Sequence, residues 1–489
     1  MSNQAQYIAI LVVYFGLVLY IGYYFSKRVE SSKGFFAAKG ELGPAVVGFS
    51  YSATQISASS YLGVFGTAAV LGYNYIPSAF ASAAAAWFAY IIIAERLRTV
   101  ADRADVYTLP DIFELRFESK FIRAVAAGII IVGYIPFIVA QLKASANVFE
   151  VLLGTSYSFG VLLFGGLIVI YTTLGGAFAV AWSDFIQATI MILGFVILIP
   201  VAVNAAGGFA TMNANFAAIN PDLVTVSGLR PAIWVSCSVI TWSFFQIGGA
   251  PSAVVRFYMA KDMKTLRKAI AYSLMLAVVI YMARGFLSPA AATLFDLSNI
   301  DSDLVIPMLV DHLLPPIVGG IILCAALAAM MSSVDSVLLL CGSAAARDIY
   351  QKLINPNIDE KTQLKTARIV TLVIGVIAAV LALNPPASIL WLVTFTFSLL
   401  ASSYTFPLIA SFWWPRATKA GGIASMISGA IACIIWYRLG WVYYESWSMW
   451  PLGLWPAIVG GFVSLVFLVV VSLMTEKASE EVLDTFYVE

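Results

Sequence analysis

Only one histidine, His312, and four cysteines, Cys237, Cys324, Cys341 and Cys433, occur in this 489-residue chain. No two cysteines form a CxxC pair and all four lie in apolar stretches. Each is therefore expected to be a buried small hydrophobe rather than half of a disulfide or a metal ligand. A lone histidine in a loop-like stretch excludes a histidine-built metal site or a Ser-His-Asp triad deep in the protein. Charge is scarce as well: 11% of residues are charged and the net charge is +1. That balance gives no electrostatic footprint for nucleic acid. No basic segment precedes the first apolar run, and no small-residue cleavage site comes before Lys27 and Arg28. The run is expected to be a retained span, not a signal peptide.

What the chain has in abundance is apolar sequence. It is 61% hydrophobic with a mean hydropathy of +0.92, which no soluble globular protein of this length matches. The expected class is an all-α polytopic membrane protein in a lipid bilayer. Thirteen spans are predicted, at 7–25, 45–72, 76–95, 121–151, 158–175, 178–206, 231–259, 268–295, 315–342, 366–384, 388–413, 420–440 and 453–474. Basic residues follow every odd span: Lys27, Arg28, Lys33 and Lys39 after the first, Arg96 to Arg123 after the third, Arg256 to Lys268 after the seventh. Arg347 to Arg368, then Arg416 and Lys419, then Lys477 continue the pattern. The positive-inside rule assigns that side to the cytoplasm, with the N-terminus outside and the C-terminus inside. The segment 107–118 reads as an amphipathic interfacial helix.

Hydroxyls and carboxylates interrupt this apolar background at a few places. Residues 321–340 are long enough to span a bilayer, yet Ser332, Ser333, Asp335 and Ser336 fall in their second half. Ser332, Asp335 and Ser336 share one helix face, with Ala329 a turn earlier. A carboxylate in a span costs about 2.5–3.5 kcal/mol on insertion scales, and carboxylate plus hydroxyls are hard oxygen ligands suited to a small cation. Close helix packing is the alternative reading of the serines. The second span is crowded with hydroxyls around Gln55 and Ser57, a composition that tolerates unwinding and exposes main-chain carbonyls. Asp184 enters the sixth span after a tight turn at Gly175 and Gly176. The seventh span is broken at Gln246-Ile-Gly-Gly-Ala-Pro-Ser, after the aromatics Trp242, Phe244 and Phe245. Gln141 and Lys143 lie in the fourth span, where Lys143 either snorkels outward or offers an intramembrane cation. Arg284 in the eighth span must face protein, water or an anion.

The two interrupted spans, the second and the seventh, are five spans apart. Five is odd, so two five-span units enter the membrane from opposite sides, the inverted-repeat layout of secondary transporters. The expected domains are 1–44 (peripheral helix and loop), 45–206 (first repeat), 207–230 (outer loop), 231–413 (second repeat) and 414–489 (peripheral helices and tail).

Four motifs add a family resemblance: Ala53-Thr-Gln-Ile-Ser-Ala-Ser-Ser, Thr108-Leu-Pro-Asp-Ile-Phe-Glu-Leu-Arg-Phe, Gly175-Gly-Ala-Phe-Ala-Val-Ala-Trp-Ser-Asp-Phe-Ile-Gln, and Ala325-Ala-Leu-Ala-Ala-Met-Met-Ser-Ser. Together they resemble the sodium/solute symporter family, with a likeness to its bacterial pantothenate and proline branches. The resemblance implies a leucine-transporter-type 5+5 core with peripheral helices, and coupling to Na+. It implies a main sodium site from the carbonyls of Ala53, Ile56 and Ala329 with the hydroxyls of Ser332 and Ser333. A second cation site would use Asp184, Asp335 and Ser336. Two departures stand out: Gln55 where proline symporters carry aspartate, and Asp335 where a hydroxyl is common.

The expected function is sodium-coupled symport of a small organic solute into the cell through a bacterial inner membrane, by a chain functional as a monomer. A carboxylate-bearing solute is expected, pantothenate-like first, then proline or a short monocarboxylate. Candidate substrate residues are Gln55, Ser57, Gln141, Lys143, Trp242, Phe245 and Gln246. The alternatives are a proton-coupled symporter, a transporter-like sensor, which the short acidic tail after the last span disfavours, and a membrane enzyme, for which no nucleophile–base constellation is present.

Overall fold

A computed structural model describes residues 3–26, 40, 42–104, 106–226, 228–297 and 300–487. The basic cluster Lys27, Arg28, Lys33 and Lys39 lies outside the described residues. Regular structure among the described residues is helical, apart from one bridge between Leu42 and Ala260. Among them, ten helices are long and apolar enough to cross a bilayer, eleven if the bent pair Pro44–Gln55 and Ser59–Tyr75 counts as one. Two of the predicted spans correspond to shorter apolar helices, Tyr157–Thr173 and Ala232–Ser243. All four cysteines are buried and unbridged. His312 is exposed on a helix, Val305–Leu313, rather than in a loop.

The helix Pro316–Ser343 is the axis of the molecule. Every residue from Ile322 to Ser343 is buried, as expected of a helix apolar on all sides and enclosed by others. Asn3–Ser26, Pro44–Gln55, Ile135–Leu153, Tyr157–Ala205 and Glu360–Ala382 pack around it. Helix starts are set by polar caps: Asp262, Asp359 and Thr418 accept from the backbone N–H of Thr265, Thr362 and Gly421. Such caps satisfy donors that a helix leaves orphaned at its first turn. The turn expected at Gly175 and Gly176 is a kink at Gly176, whose φ of 62° and ψ of −171° suit glycine alone.

Both predicted interruptions are present. The first helix stops at Gln55 and restarts at Ser59 with a bend of 71°. The second divides into Ala232–Ser243, Gln246–Gly249, Pro251–Val254 and Arg256–Met259. Gly248 allows this second break to lie against the helix Ile389–Trp413, because a Cβ there would run into the Thr405 backbone.

The segment expected to be an interfacial helix packs most of its surface against the rest of the protein. Leu109–Phe117 starts on a capping box between Thr108 and Asp111 and feeds an ionic network. Arg123 holds Asp111 and Asp348, each at 2.7 Å, and also Glu114. Arg347 reaches Asp111 at 3.0 Å. These pairs tie the far end of the central helix to the start of the helix Lys120–Gly133. Burial alone would raise the Asp111 carboxyl. Arg347, Arg123 and the N–H groups of Tyr107 and Thr108 outweigh it, and the net direction is down. Its contribution to stability is therefore present at neutral pH and lost only as acid takes the pH down through the depressed folded value.

Gly248→Ala is expected to destabilise the fold by about 1–3 kcal/mol through overpacking. Gly166→Ala, whose Cβ would meet nothing within 4 Å, should leave the melting temperature unchanged or raised. Equal melting temperatures for the two variants would remove the packing argument at the second break.

Candidate functional site

Ile56 is extended, with φ −84° and ψ 92°, so the helical ladder ends there. Gln141 caps the restart: its Oε1 accepts from the Ala58 N–H at 2.7 Å. Carbonyls left open at the break turn to the central helix. The Ser332 hydroxyl lies 3.1 Å from the carbonyls of both Ala53 and Ala329. The Ser333 hydroxyl lies 3.2 Å from the Thr54 carbonyl and 3.4 Å from that of Ile56. Ala53, Ile56, Ala329, Ser332 and Ser333 are all fully buried. Each hydroxyl has one proton, so two protons face four carbonyl oxygens. The surplus of lone pairs in a water-free place suits a small hard cation.

Beside this cluster lies a charged one. The Asp184 carboxylate accepts from the Ser50 hydroxyl at 2.6 Å and pairs with the Arg256 guanidinium at 3.2 Å. Arg256 also donates to the Ser50 hydroxyl at 3.0 Å and to the Ser336 hydroxyl. Asp335 accepts from the Ser336 N–H at 2.6 Å. One oxygen of Asp184 and one of Asp335 are buried without a hydrogen-bond partner. Both carboxylates are fully buried and Arg256 is 2% exposed, so the cluster holds two acids against one fixed cation. With both acids ionised it carries one uncompensated negative charge, which low-dielectric surroundings penalise by several kcal/mol. A proton or an alkali cation would restore neutrality.

The open side of the break lines a narrow, partly open cavity with about 10 Å³ of free space. Gln55, Ser59 and Ser60 form one wall, Trp242 and Gln246 from the second broken helix another. Tyr75, Tyr281 and Arg284 close it, with Val64, Val393 and Phe397 as apolar surface.

A family model described as sodium:solute symporter matches residues 35–429. This chain belongs to the sodium:solute symporter family. The osmoregulated proline transporter OpuE of Bacillus subtilis is 30% identical over 478 residues, covering 96% of this chain and 95% of the relative. The sodium/pantothenate symporter of Escherichia coli is also 30% identical, over 87% of this chain and 88% of that one. The fold matches the structure of a substrate-bound, outward-open Na+-coupled sialic acid symporter. The TM-score is 0.82 at 19% identity, over 97% of this chain and 99% of the other. Sodium as coupling ion follows from the family, as does a multi-pass membrane setting.

Within this symporter the candidate residues divide. Gln55, Trp242 and Gln246 line the cavity. Ser57 is buried nearby with its hydroxyl unpartnered, outside the lining. Three assignments need correction. Gln141 is committed to the Ala58 cap, because the break leaves that N–H without a ladder partner. Lys143 does not line the cavity: it pairs with Asp303 at 2.7 Å, in the short 3-10 helix Ser302–Leu304, and reaches Asp301 at 3.7 Å. Phe245 packs against Ala401 and Ala457, away from the cavity. Arg256 was counted with the basic residues of one membrane side, yet it sits inside with Asp184 and Ser336. Its position within the predicted span 231–259 was the available signal. Thr54, whose carbonyl joins the hydroxyl cluster, had no signal beyond adjacency to Ala53.

Arg256→Gln is expected to destabilise the protein by about 3–5 kcal/mol, the usual result of stranding a buried charge. Asp184→Asn combined with it should recover part of that loss. Additive losses in a double-mutant cycle of thermal or denaturant unfolding would show the pair to be uncoupled.

Proposed function

We propose that this chain imports a small carboxylate-bearing organic solute across a bacterial inner membrane, driven by sodium entry, as a monomer. The observation that carries the reading is the double use of residues 53–60. Their carbonyls point to Ser332 and Ser333, while Gln55, Ser59 and Ser60 line the cavity. Sodium held by Ala53, Ile56, Ala329, Ser332 and Ser333 would fix the unwound segment, and the fixed segment presents the cavity wall to the solute. Each ligand then raises the affinity of the other, by linkage. Each charge moving inward gains ~2.3 kcal/mol per 100 mV.

The reading extends to thirteen spans in a 5+5 inverted repeat, 45–206 and 231–413, with the N-terminus outside and the C-terminus cytoplasmic. The broken helices at equivalent places in the two halves support it. Pantothenate-like acids, proline and short monocarboxylates are the first solutes to test.

Proton coupling is a second reading, favoured by the two buried acids around a single guanidinium. Asp184, Asp335 and Ser336 would hold either a second sodium or a proton at that place.

Ser332→Ala or Ser333→Ala should raise the sodium concentration for half-maximal uptake into proteoliposomes about tenfold, roughly 1.4 kcal/mol. Unchanged sodium dependence in both variants counts against the main site. Asp335→Asn should change the ion:solute stoichiometry or the pH profile of uptake. If both stay as in the wild type, Asp335 is structural.

A further inference from the structure

We propose that Arg284 is the residue that binds the solute's carboxylate, and that the site selects compact monocarboxylates lacking an ammonium group. This rests on the transport reading above and narrows its solute class.

Arg284 begins a helix at a break after Met282 and is 2% exposed. No carboxylate pairs with it among the described residues. Its contacts are the Ser78 hydroxyl at 3.0 Å and the ring faces of Tyr281 and Tyr75, with centroids at 5.2 and 5.8 Å. Aromatic faces offset part of the desolvation of a buried cation, but they supply no negative charge. Every other buried guanidinium or ammonium discussed above, Arg123, Arg256, Arg347 and Lys143, has a carboxylate within 3.2 Å. Arg284 has none; Arg116 is likewise buried without a carboxylate, but it donates to the main-chain carbonyls of Trp414 and Pro415, whereas Arg284 lines the cavity beside the broken helix.

The hydrogen-bond count on that cavity points the same way. Arg284 Nε is buried without a hydrogen-bond partner, while Tyr75 Oη and Trp242 Nε1 lie against each other beside Ser78, and all three residues line the cavity. A carboxylate offers two oxygens with about four acceptor positions. It would satisfy that donor and the fixed positive charge at once, through charge-assisted bonds that are about twice as strong as neutral ones.

The same inventory argues against amino acids. The cavity lining contains no aspartate or glutamate. A zwitterion would bring its ammonium into a low-dielectric space beside Arg284 with only neutral acceptors, such as Gln246 Oε1 and the serine hydroxyls. The cavity has only about 10 Å³ of free space in this conformation, so its walls must part to admit a solute, and a compact one demands the least. Val64, Val393 and Phe397 would take a short alkyl chain.

The test uses purified full-length protein in proteoliposomes with an inward sodium gradient. Radiolabelled propionate, lactate, pyruvate, pantothenate and L-proline are offered to the wild type, Arg284→Gln, Arg284→Lys and Trp242→Phe. Melting temperatures are read in parallel with potassium propionate, lactate or pyruvate added, with and without sodium. Expected is sodium-driven uptake of at least one short monocarboxylate, with proline carried at least about tenfold less well. Arg284→Gln should weaken acid uptake and the acid-induced melting shift by about tenfold to a hundredfold. It should keep the sodium-induced shift, and Arg284→Lys should retain part of the acid response. If Arg284→Gln does not fold, the Lys and Phe variants decide.

Proline carried better than every short acid overturns the inference and leaves sodium-coupled transport standing. So does short-acid uptake indifferent to Arg284. If no solute is driven by sodium but an Arg284-dependent acid shift appears, the transport reading falls and the anion site remains. Absence of both acid uptake and acid shift in the wild type removes the anion site.

Discussion

A backbone that leaves its helix at membrane depth must find partners for its carbonyls, since lipid and packed protein offer no water. That constraint acts at residues 56–58 and shapes the centre of this molecule. Gln141 takes the stranded N–H of Ala58, and Ser332 and Ser333 take the carbonyls of Ala53, Thr54 and Ile56. Two hydroxyl protons cannot fully satisfy four carbonyls, so the arrangement is stable but not saturated. An alkali cation placed among these oxygens would supply the missing positive charge. The central helix is buried all along this stretch, which keeps water from completing it instead.

Charge is handled in layers. Lys143 with Asp303 closes one end, next to the restarted helix and the start of Ile389–Trp413, whose first N–H also bonds Asp303. The network of Arg123, Asp111 and Asp348 fastens the other end. Between them Arg256 and Asp184 bridge the unbroken half of Pro44–Gln55, through Ser50, to the central helix through Ser336. Buried pairs of this kind add little net stability when complete and are costly when broken. They hold the helices around the unwound segment in register. Arg284 stands apart from these layers and lines the cavity, to which it brings a positive charge.

Much of this was legible in the sequence. Ser332, Ser333 and Asp335 in an otherwise apolar run, and the Gly-Gly and Pro interruption at 248–251, mark chemistry and breaks by composition alone. Ala53 and Ile56 act through backbone carbonyls, so their side chains carry no sign of it, and only the family resemblance indicated them. Side-chain direction was not legible. Phe245 and Trp242 are three residues apart, yet Trp242 faces the cavity and Phe245 does not. A broken helix lacks the fixed 3.6-residue register on which such inferences depend. Partners distant in sequence were equally hidden: Asp303 meets Lys143 across 160 positions, and Asp184 meets Arg256 across 72. Arg256 was misread because a basic residue near a span end serves topology more often than a buried pair.

The central claim is that sodium binds between the unwound segment and the serine-rich helix and orders both. Hydrogen–deuterium exchange read by mass spectrometry, in sodium against potassium at equal ionic strength, tests it most directly. Peptides covering 53–61 and 329–336 should exchange more slowly in sodium, while those of the Arg123 network stay unchanged. Identical exchange of both peptides in the two salts would contradict it.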